Sequence, residues 1–303
     1  MPKVKIGIRI GIGSMFIIAA ILKLISIDEF EIYIYSFNIF GFIATTFISR
    51  LIIAGEFIIG LLLIIKTNYK FAWRVTMTIL ILFTLFLAYT AIFRNDNNCH
   101  CFGELVELSP IESIIKNIVT IFLLIFIKPT SSSKSMSKTM LSLISISTLS
   151  IIFIISPPDI IYNKIFSAKK EISSHDVYKS LDNIAKINFD NDTIFLDTTS
   201  IFDINKEKQT IAIVSSGCKY CKLGIKKLSM IKERNGEHTD DVDILIWGSP
   251  KGIINFRKET LTENYSYWHI YPNEAIKITY GKFPIFINLK EKEIKEIKDF
   301  RSL

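Results

Sequence analysis

Long apolar segments separated by short polar loops fill the first half of the chain. They cover residues 6–27, 40–65, 71–93, 111–127 and 140–155. A membrane-spanning helix needs about 20 mostly apolar residues, with about 17 as the lower limit. The second and third segments satisfy this length, and the last two lie at the limit. The first carries Arg9 and Lys23, whose long side chains can reach opposite membrane interfaces. The pattern therefore predicts a bundle of five transmembrane helices.

The first apolar segment could be either a retained transmembrane helix or a cleaved signal peptide. Its basic start and apolar core also fit a signal peptide, but residues 27–30 (Ile-Asp-Glu-Phe) form a poor cleavage site, so we expect a retained helix. The aromatic stretch 30–40 is too short to cross. It lies in the outer interface or extends a neighbouring helix.

Basic residues in alternate loops predict the orientation. Lysine and arginine without any acid occupy the start of the chain and the second and fourth loops, whereas the other two loops hold acids together with one basic residue, Arg94. Because Lys and Arg mark the cytoplasmic side, the N-terminus is predicted to be cytoplasmic. Five crossings then place the region after residue 156 outside, as a periplasmic or extracellular domain of a multi-pass cell-membrane protein. The basic residues are Lys3, Lys5, Arg9, Lys66, Lys70, Arg74, Lys128, Lys134 and Lys138.

The second half of the chain alternates between strand-like and helix-like segments. Strands are predicted over 193–196, 210–214, 242–247 and 284–289, and helices over 222–232 and 252–261, followed by an amphipathic stretch over 291–300. This alternation indicates an α/β domain with a central sheet. The predicted organisation is a four-helix membrane domain over 1–128, a cytoplasmic linker and fifth helix over 129–158, a tether over 159–192 and the α/β domain over 193–303.

Candidate chemistry is concentrated in the four cysteines, which form two close pairs. Cys218 and Cys221 follow an apolar strand and open a helix, so they share one helix face and can form a disulfide. Cys218 lies where the helix dipole and free N–H groups favour a thiolate. Because it is also the more exposed, we predict Cys218 as the nucleophile and Cys221 as the resolving thiol. The orientation places both pairs in the same, oxidising compartment.

Residues 193–303 resemble a thioredoxin-like domain. The resemblance rests on the Cys-x-x-Cys after a strand and on Phe283-Pro284 before an apolar strand. It implies that Pro284 is a cis-proline facing the cysteines and that this segment pairs with an incoming peptide, which makes Phe283 and Pro284 candidate substrate-binding residues.

The chain departs from the thioredoxin pattern in ways that leave its redox potential open. No Trp precedes Cys218, and no acid lies within residues 210–214 to help deprotonate the second cysteine. Lys219 and Lys222 can favour the thiolate electrostatically, although each lysine alone is more typical of a solvated surface.

The other pair, Cys99 and Cys101, stands in the sequence Cys-His-Cys-Phe-Gly. Together with Lys116-Asn117, Ala54-Gly55-Glu56 and Gly11…Lys23, it resembles the MauE branch of the DoxX-like membrane proteins over about residues 5–128. The resemblance implies a four-helix membrane unit and a role in thiol–disulfide chemistry outside the cytoplasm.

From the residues alone, three interpretations of the Cys-x-Cys pair stay open. The spacing is cramped for a disulfide, which suits a labile redox pair. A static disulfide is the second interpretation. His100 between the cysteines suggests a soft-metal site, but three consecutive residues cannot easily all face one ion, so we predict no metal site.

Two charged residues inside the second apolar segment form a candidate intramembrane polar site. Arg50 and Glu56 are six residues apart and do not stack on one helix face. A partner for Glu56 on another helix, such as Arg9 or Lys116, is expected. A structural ion pair is favoured over a role in proton transfer.

These observations predict a membrane-bound thiol–disulfide oxidoreductase in which Cys99/Cys101 and Cys218/Cys221 exchange electrons. Its partners are the lipid bilayer and extracytoplasmic client proteins with cysteines. The net charge of +7 does not indicate nucleic-acid binding, because the basic residues lie between apolar segments. No cofactor is required, and no motif signals a quinone site, although membrane redox bundles often use quinones. The alternatives are a metal-handling or haem-maturation accessory protein and a non-catalytic thioredoxin-like binding module.

Overall fold

A computed structural model describes residues 2–94, 96, 98–129, 136–166, 174–181, 184–190, 193–203, 208–237, 239–291 and 293–303. The chain divides into two compact units, Met1–Pro158 and Asp159–Leu303. Residues 130–135 of the predicted linker and residues 167–173, 182–183 and 191–192 of the predicted tether lie outside the described residues.

The first unit is helical. Its described helices are α1 (Pro2–Ile25), α2 (Ile27–Tyr35), α3 (Phe42–Ile65), α4 (Tyr69–Phe93), α5 (Pro110–Phe126) and α6 (Lys138–Ile155). Four of them, α1, α3, α4 and α6, are long and apolar enough to cross a membrane. The protein is therefore a multi-pass membrane protein, as predicted.

Helix α5 runs antiparallel along α4. The Tyr69 hydroxyl at the start of α4 donates to the carbonyl of Ile127 just after α5, at 2.7 Å. The Trp73 indole N–H, one turn further on, donates to the carbonyl of Leu124 at 2.8 Å. With 17 residues, α5 lies at the lower length limit for a span.

The aromatic stretch after α1 forms the separate helix α2 rather than an extension of α1. The break lies at Ser26, whose hydroxyl donates to the carbonyl of Leu22 at 3.0 Å. Phe30 and Ile32 are buried, so α2 packs on the bundle.

Two glycines let α1 and α3 cross at close range. A Cβ added to Gly13 would lie 2.8 Å from the Gly60 carbonyl oxygen, and one added to Gly60 would lie 2.6 Å from the Gly13 oxygen. Small residues allow such backbone approach between membrane helices.

Arg9 and Lys23 both have their partners on α3. Both side chains are buried. Arg9 donates to the carbonyls of Leu63 and, at 2.7 Å, Ile64 at the end of α3. Lys23 of α1 forms an ion pair with Glu56, which also lies on α3. Because a buried charge is costly without a partner, neighbouring helices hold these side chains inside the bundle.

The second unit is built on a mixed sheet in the order β2-β1-β5-β4-β3-β6-β7. Strands β3, β4 and β5 are parallel, and the other neighbours are antiparallel. The predicted fold class, a membrane helical bundle followed by an α/β thioredoxin-like domain, is confirmed. The elements are α7 (Asp159–Phe166), α8 (Ser174–Leu181), β1 (Ala185–Asp190), β2 (Thr193–Asp197), β3 (Lys208–Ser215), α9 (Lys219–Arg234), β4 (Val242–Trp247), α10 (Pro250–Thr260), β5 (Ser266–His269), α11 (Pro272–Thr279), β6 (Ile285–Lys290) and β7 (Glu293–Asp299).

Alternate residues of β3 feed two cores, one on each face of the sheet. Ala212 and Val214 pack with α9 and α10 on one face. Ile211 and Ile213 pack with α8 and α11 on the other. This alternation is the period-two pattern of a strand buried on both faces.

The predicted tether over 159–192 is wrong as a boundary, because the α/β unit begins before residue 193. Strand β1 pairs with β2 and β5 inside the sheet. Val177 and Leu181 of α8 are buried in the core that α8 shares with α11. Among the described side chains of α8, these two are the apolar ones in the core, and two apolar residues in a polar sequence are too weak a pattern to predict the helix.

The amphipathic stretch over 291–300 forms strand β7. Ile294 and Ile297 both pack on the core that contains Leu289. Their spacing of three suits a helix, but a register shift at Asn288/Leu289 brings both to the same face of the sheet.

Candidate functional site

Cys218 and Cys221 lie at the junction of β3 and α9. Cys218 is the N-cap of α9, and its Sγ accepts a hydrogen bond from the backbone N–H of Cys221 at 3.3 Å. Cys218 is partly exposed and Cys221 is fully buried. Both are free thiols, and the Cys221 Sγ accepts from the N–H of Ser215 at 3.5 Å.

The two thiols titrate in opposite directions. The hydrogen bond from the Cys221 thiol, helped by the backbone N–H groups of Cys221 and Tyr220, lowers the pKa of Cys218 to about 6 against the opposing effect of burial. The same thiol–thiol hydrogen bond, together with burial, raises the pKa of Cys221 far above its ordinary range. Cys218 is therefore largely a thiolate at neutral pH, while Cys221 keeps its proton.

The flanking lysines are not the source of this thiolate. Lys222 pairs with Glu259 at 2.7 Å. The lowered pKa of Cys218 follows from hydrogen bonds at the helix N-terminus. The buried acid Asp243, next to Ile211 in the sheet, binds Gln209 and Trp268 near the opposite end of β3.

The Phe283–Pro284 peptide bond is cis, as the resemblance implied. The proline lies against α9 one turn after Cys221, because a Cβ added to Gly224 would be 2.9 Å from Pro284 Cγ. Cys218 and Phe283 pack on the same core. Gly224 thus provides the space in which the cis-proline loop seats beside the cysteine helix.

Trp247 lies beside the cis-proline loop, and the sequence analysis did not single it out. It ends β4 opposite Ser215, the last residue of β3, and its ring lies 6.2 Å from that of Phe283. Its position at the carboxyl end of a parallel strand beside the cysteine strand was the available signal.

Cys99 and Cys101 form a disulfide in the loop between α4 and α5. Both are buried, and the Ser113 hydroxyl on α5 lies 3.0 Å from Cys99 Sγ and 3.4 Å from Cys101 Sγ. The backbone N–H of Cys99 donates to the carbonyl of Leu108 at 2.8 Å, which closes the loop.

The glycine of the Cys-His-Cys-Phe-Gly sequence seats this loop on α1. Gly103 has a φ of 68°, and a Cβ there would lie 2.2 Å from the Ser26 hydroxyl and 2.7 Å from the Leu22 carbonyl oxygen. The N–H of Glu104 donates to the same hydroxyl at 3.1 Å. A side chain at position 103 would push the disulfide loop off the bundle.

Arg50 and Glu56 do not form one site. Arg50 pairs with Glu31 of α2 and donates to the Ser156 carbonyl at 2.8 Å. Glu56 pairs with Lys23 of α1, which is a partner on another helix as expected, although Lys23 and not Arg9 or Lys116 forms the ion pair. The partners come from helix crossings that helical spacing alone does not reveal.

The described residues contain no group of three or more His, Cys, Asp or Glu side chains arranged to hold a metal ion. His100 Nδ1 lies 3.3 Å from a Glu104 carboxylate oxygen, and its ring contacts the tilted ring of Tyr33 with a centroid distance of 4.5 Å.

Comparisons with known proteins agree with this organisation. Residues 1–128 match the family model described as methylamine utilisation protein MauE. Protein TlpB of Flavobacterium psychrophilum is 30% identical over an alignment of 324 positions, which covers 92% of this chain and 85% of TlpB. No solved structure matches the chain.

Proposed function

The chain belongs to the family of flavobacterial protein TlpB and carries a MauE membrane domain, and on that premise we propose that it is a membrane-bound thiol–disulfide oxidoreductase. The observation that carries the proposal is the asymmetric pair at α9. A partly exposed thiolate at Cys218 stands next to a buried, protonated thiol at Cys221.

The pair performs disulfide exchange in two steps. The Cys218 thiolate attacks a client disulfide, forms a mixed disulfide and releases one client thiolate. Cys221 gives up its proton and attacks the Cys218 sulfur. The second client thiolate leaves, and a Cys218–Cys221 disulfide forms. The client gains two electrons and the domain loses two. The reverse sequence oxidises a client dithiol.

The cis-proline loop is the proposed client-binding surface. Backbone groups next to Pro284 pair with an extended client segment, and the rings of Phe283 and Trp247 flank it. Such main-chain pairing does not depend on client sequence, which suits an enzyme that acts on many substrates.

The disulfide of the membrane bundle is the proposed redox partner of the domain. Cys99 and Cys101 lie in a loop at the end of the bundle opposite the Tyr69–Ile127 contact, which lies among the basic loops. With basic loops cytoplasmic and five crossings, both cysteine pairs are extracytoplasmic. Fusion in one chain raises the local concentration of one pair near the other, to about millimolar for a flexible connection.

Trapping of mixed disulfides tests the relay. The Cys221→Ser variant cannot resolve an adduct, so we expect Cys218 to accumulate mixed disulfides with Cys99, Cys101 or client proteins, identified by peptide mass spectrometry. Cys218→Ser is the matched control and should trap none of them. If Cys221→Ser yields no adduct under oxidising or reducing challenge, the relay is refuted, and the accessory or non-catalytic alternatives take its place.

A further inference from the structure

The first unit contains a cavity of about 710 Å³, within the range of small-molecule sites. Its lining is mostly aliphatic and aromatic, and the cystine of Cys99 and Cys101 forms part of its wall. A cavity of this composition in a membrane bundle suits a lipophilic molecule, and the disulfide makes that molecule a redox partner.

A polar cluster lies in the cavity wall close to the disulfide. It consists of the Lys23–Glu56 ion pair, Lys116 and Asn117. Lys116 Nζ lies 4.7 Å from the ring of Phe102, the residue after Cys101. These residues supply hydrogen-bond donors and acceptors in one region of an otherwise apolar cavity wall.

Asn117 is the member of this cluster that most directly indicates a bound molecule. Its side chain is fully buried, and its Nδ2 donates to the Thr84 hydroxyl at 3.2 Å. Its Oδ1 has no hydrogen-bond partner among the described residues. Since a buried carbonyl without a partner costs about 1–3 kcal/mol, a donor from a bound molecule would satisfy it.

The disulfide lies against the face of α5 that also carries Asn117. Ser113, which contacts both sulfurs, is four residues before Asn117, and this spacing places the two side chains about 5–6 Å apart on the same face. A polar ring bound at Asn117 and Lys116 would therefore lie within about one helical turn of the sulfur atoms.

Some apolar residues that line the cavity are also exposed, among them Leu51 on α3 and Leu82 on α4. Both helices are long and apolar enough to cross a membrane, so exposed apolar side chains on them suit contact with lipid. A lipophilic molecule is therefore compatible with this part of the bundle.

We propose that this cavity binds an isoprenoid quinone that oxidises the Cys99/Cys101 dithiol. This inference rests on the proposed exchange function. The two thiols lose two protons and two electrons as the S–S bond forms, and the quinone takes up both to become a quinol. Lys116 donates to a quinone oxygen, Asn117 Oδ1 accepts from the quinol hydroxyl, and the apolar walls hold the isoprenoid chain.

Gly55 offers a clean perturbation of the cavity. It lines the cavity, and no atom lies within 4 Å of a Cβ built on it, so Gly55→Phe fills the space without a backbone clash. Gly11 on α1 is equally open, but it is exposed on the outer surface and does not line the cavity, so Gly11→Phe is the matched control.

The experiment uses the full chain in lipid nanodiscs, reduced and then freed of reductant without oxygen. With menaquinone-4 or ubiquinone-2 as the probe, we expect one quinol per Cys99–Cys101 disulfide formed. Gly55→Phe and Asn117→Leu should slow this reaction at least tenfold, and Gly11→Phe should leave it unchanged. Diamide treatment and alkylation report whether each variant still forms the disulfide, which separates a blocked cavity from an unfolded bundle.

Two results would overturn the quinone site. One is no quinol formation by the wild-type chain. The other is an unchanged rate in a Gly55→Phe variant that still forms its disulfide, as expected if the cavity holds only lipid acyl chains. Neither result touches the trapped adducts of Cys218, so failure of the quinone site remains distinguishable from failure of the relay.

Discussion

Removing the Cys221 thiol should make Cys218 a weaker acid and a slower nucleophile near pH 6. In the native chain the hydrogen bond from Cys221 is the main reason that the pKa of Cys218 is about 6. The Cys221→Ala variant lacks this donor, but it keeps the backbone N–H groups of residues 220 and 221. Cys221→Ser keeps a hydroxyl donor and is the matched control.

The size of the effect follows from hydrogen-bond energetics. A hydrogen bond to a charged group contributes about 1.5–3 kcal/mol, and one pKa unit corresponds to about 1.4 kcal/mol. Because Cys218 is partly exposed, solvent screening favours the lower end of this range. We therefore expect the pKa of Cys218 in Cys221→Ala to rise from about 6 to about 7.

The rates at low pH should separate the wild-type protein from an ordinary thiol. At pH 6 a thiol of pKa about 6 is about half ionised, against about 0.3% for the reference value of about 8.5. The lower basicity reduces the intrinsic nucleophilicity roughly tenfold, since the Brønsted slope is about 0.4–0.5. Wild-type Cys218 should therefore react roughly tenfold faster than an ordinary cysteine at pH 6, and its rate should stop rising above about pH 7.

The dependence of the Cys218 reaction rate on pH can be measured by labelling the full chain with iodoacetamide from about pH 4.5 to about 9.5. Mass spectrometry of the peptide that contains Cys218 gives the rate at each pH. Cys221 is buried, and Cys99 and Cys101 are bonded to each other, so the peptide readout isolates Cys218. A wild-type midpoint near 8.5 would refute the thiolate. Identical midpoints for wild type and Cys221→Ala would refute the assigned cause.

Other perturbations follow from the same packing. Gly224→Val should lower the free energy of unfolding by about 1–3 kcal/mol and slow exchange with a model disulfide, because a Cβ at position 224 would lie 2.9 Å from Pro284 Cγ. Gly217→Val, at an open and exposed position, should change neither quantity. Gly103→Ala should make the bundle disulfide more accessible to a phosphine reductant, whereas Gly41→Ala should not, and equal reduction rates would contradict the loop seating. The depressed pKa of Cys218 gives the reduced protein stability that is lost as pH falls from the ordinary thiol pKa of about 8.5 through about 6, whereas the raised pKa of Cys221 lowers stability above about 8.5. The melting temperature should therefore fall between about pH 8.5 and 6 in wild type but not in Cys218→Ser.

Local patterns were sufficient for the elements with strong periodicity. The membrane helices, the strands β3, β4 and β6, and the helix after the cysteines all lie where the sequence predicts them. Their side chains are apolar over a continuous run or on one face, so a short window contains the whole signal. The cis bond at Pro284 was also predictable, because a resemblance in the flanking motif implied it.

Elements whose own sequences carry a weak or misleading pattern were missed. Strand β1 pairs with its neighbour β2 and with β5, which lies far along the chain. Among the described side chains of α8, Val177 and Leu181 are buried. The apolar residues of β7 have the spacing of a helix, and a register shift against β6 brings them to one face of the sheet. In each case contacts with other elements stabilise the observed structure and leave no clear signal in the segment's own sequence.

The sequence by itself determined that this is a membrane protein with two cysteine pairs and an α/β domain, because hydrophobicity, loop charge and cysteine spacing are local properties of the chain. Only the tertiary structure decided the chemistry around those cysteines. It pairs Glu56 with Lys23, places Ser113 beside the bundle disulfide, and leaves the side-chain carbonyl of Asn117, a residue that lines the cavity, without a hydrogen-bond partner among the described residues. It also shows that a thiol–thiol hydrogen bond, and not a neighbouring lysine, favours the Cys218 thiolate. These features depend on helix crossings and side-chain directions, which packing fixes and sequence spacing does not.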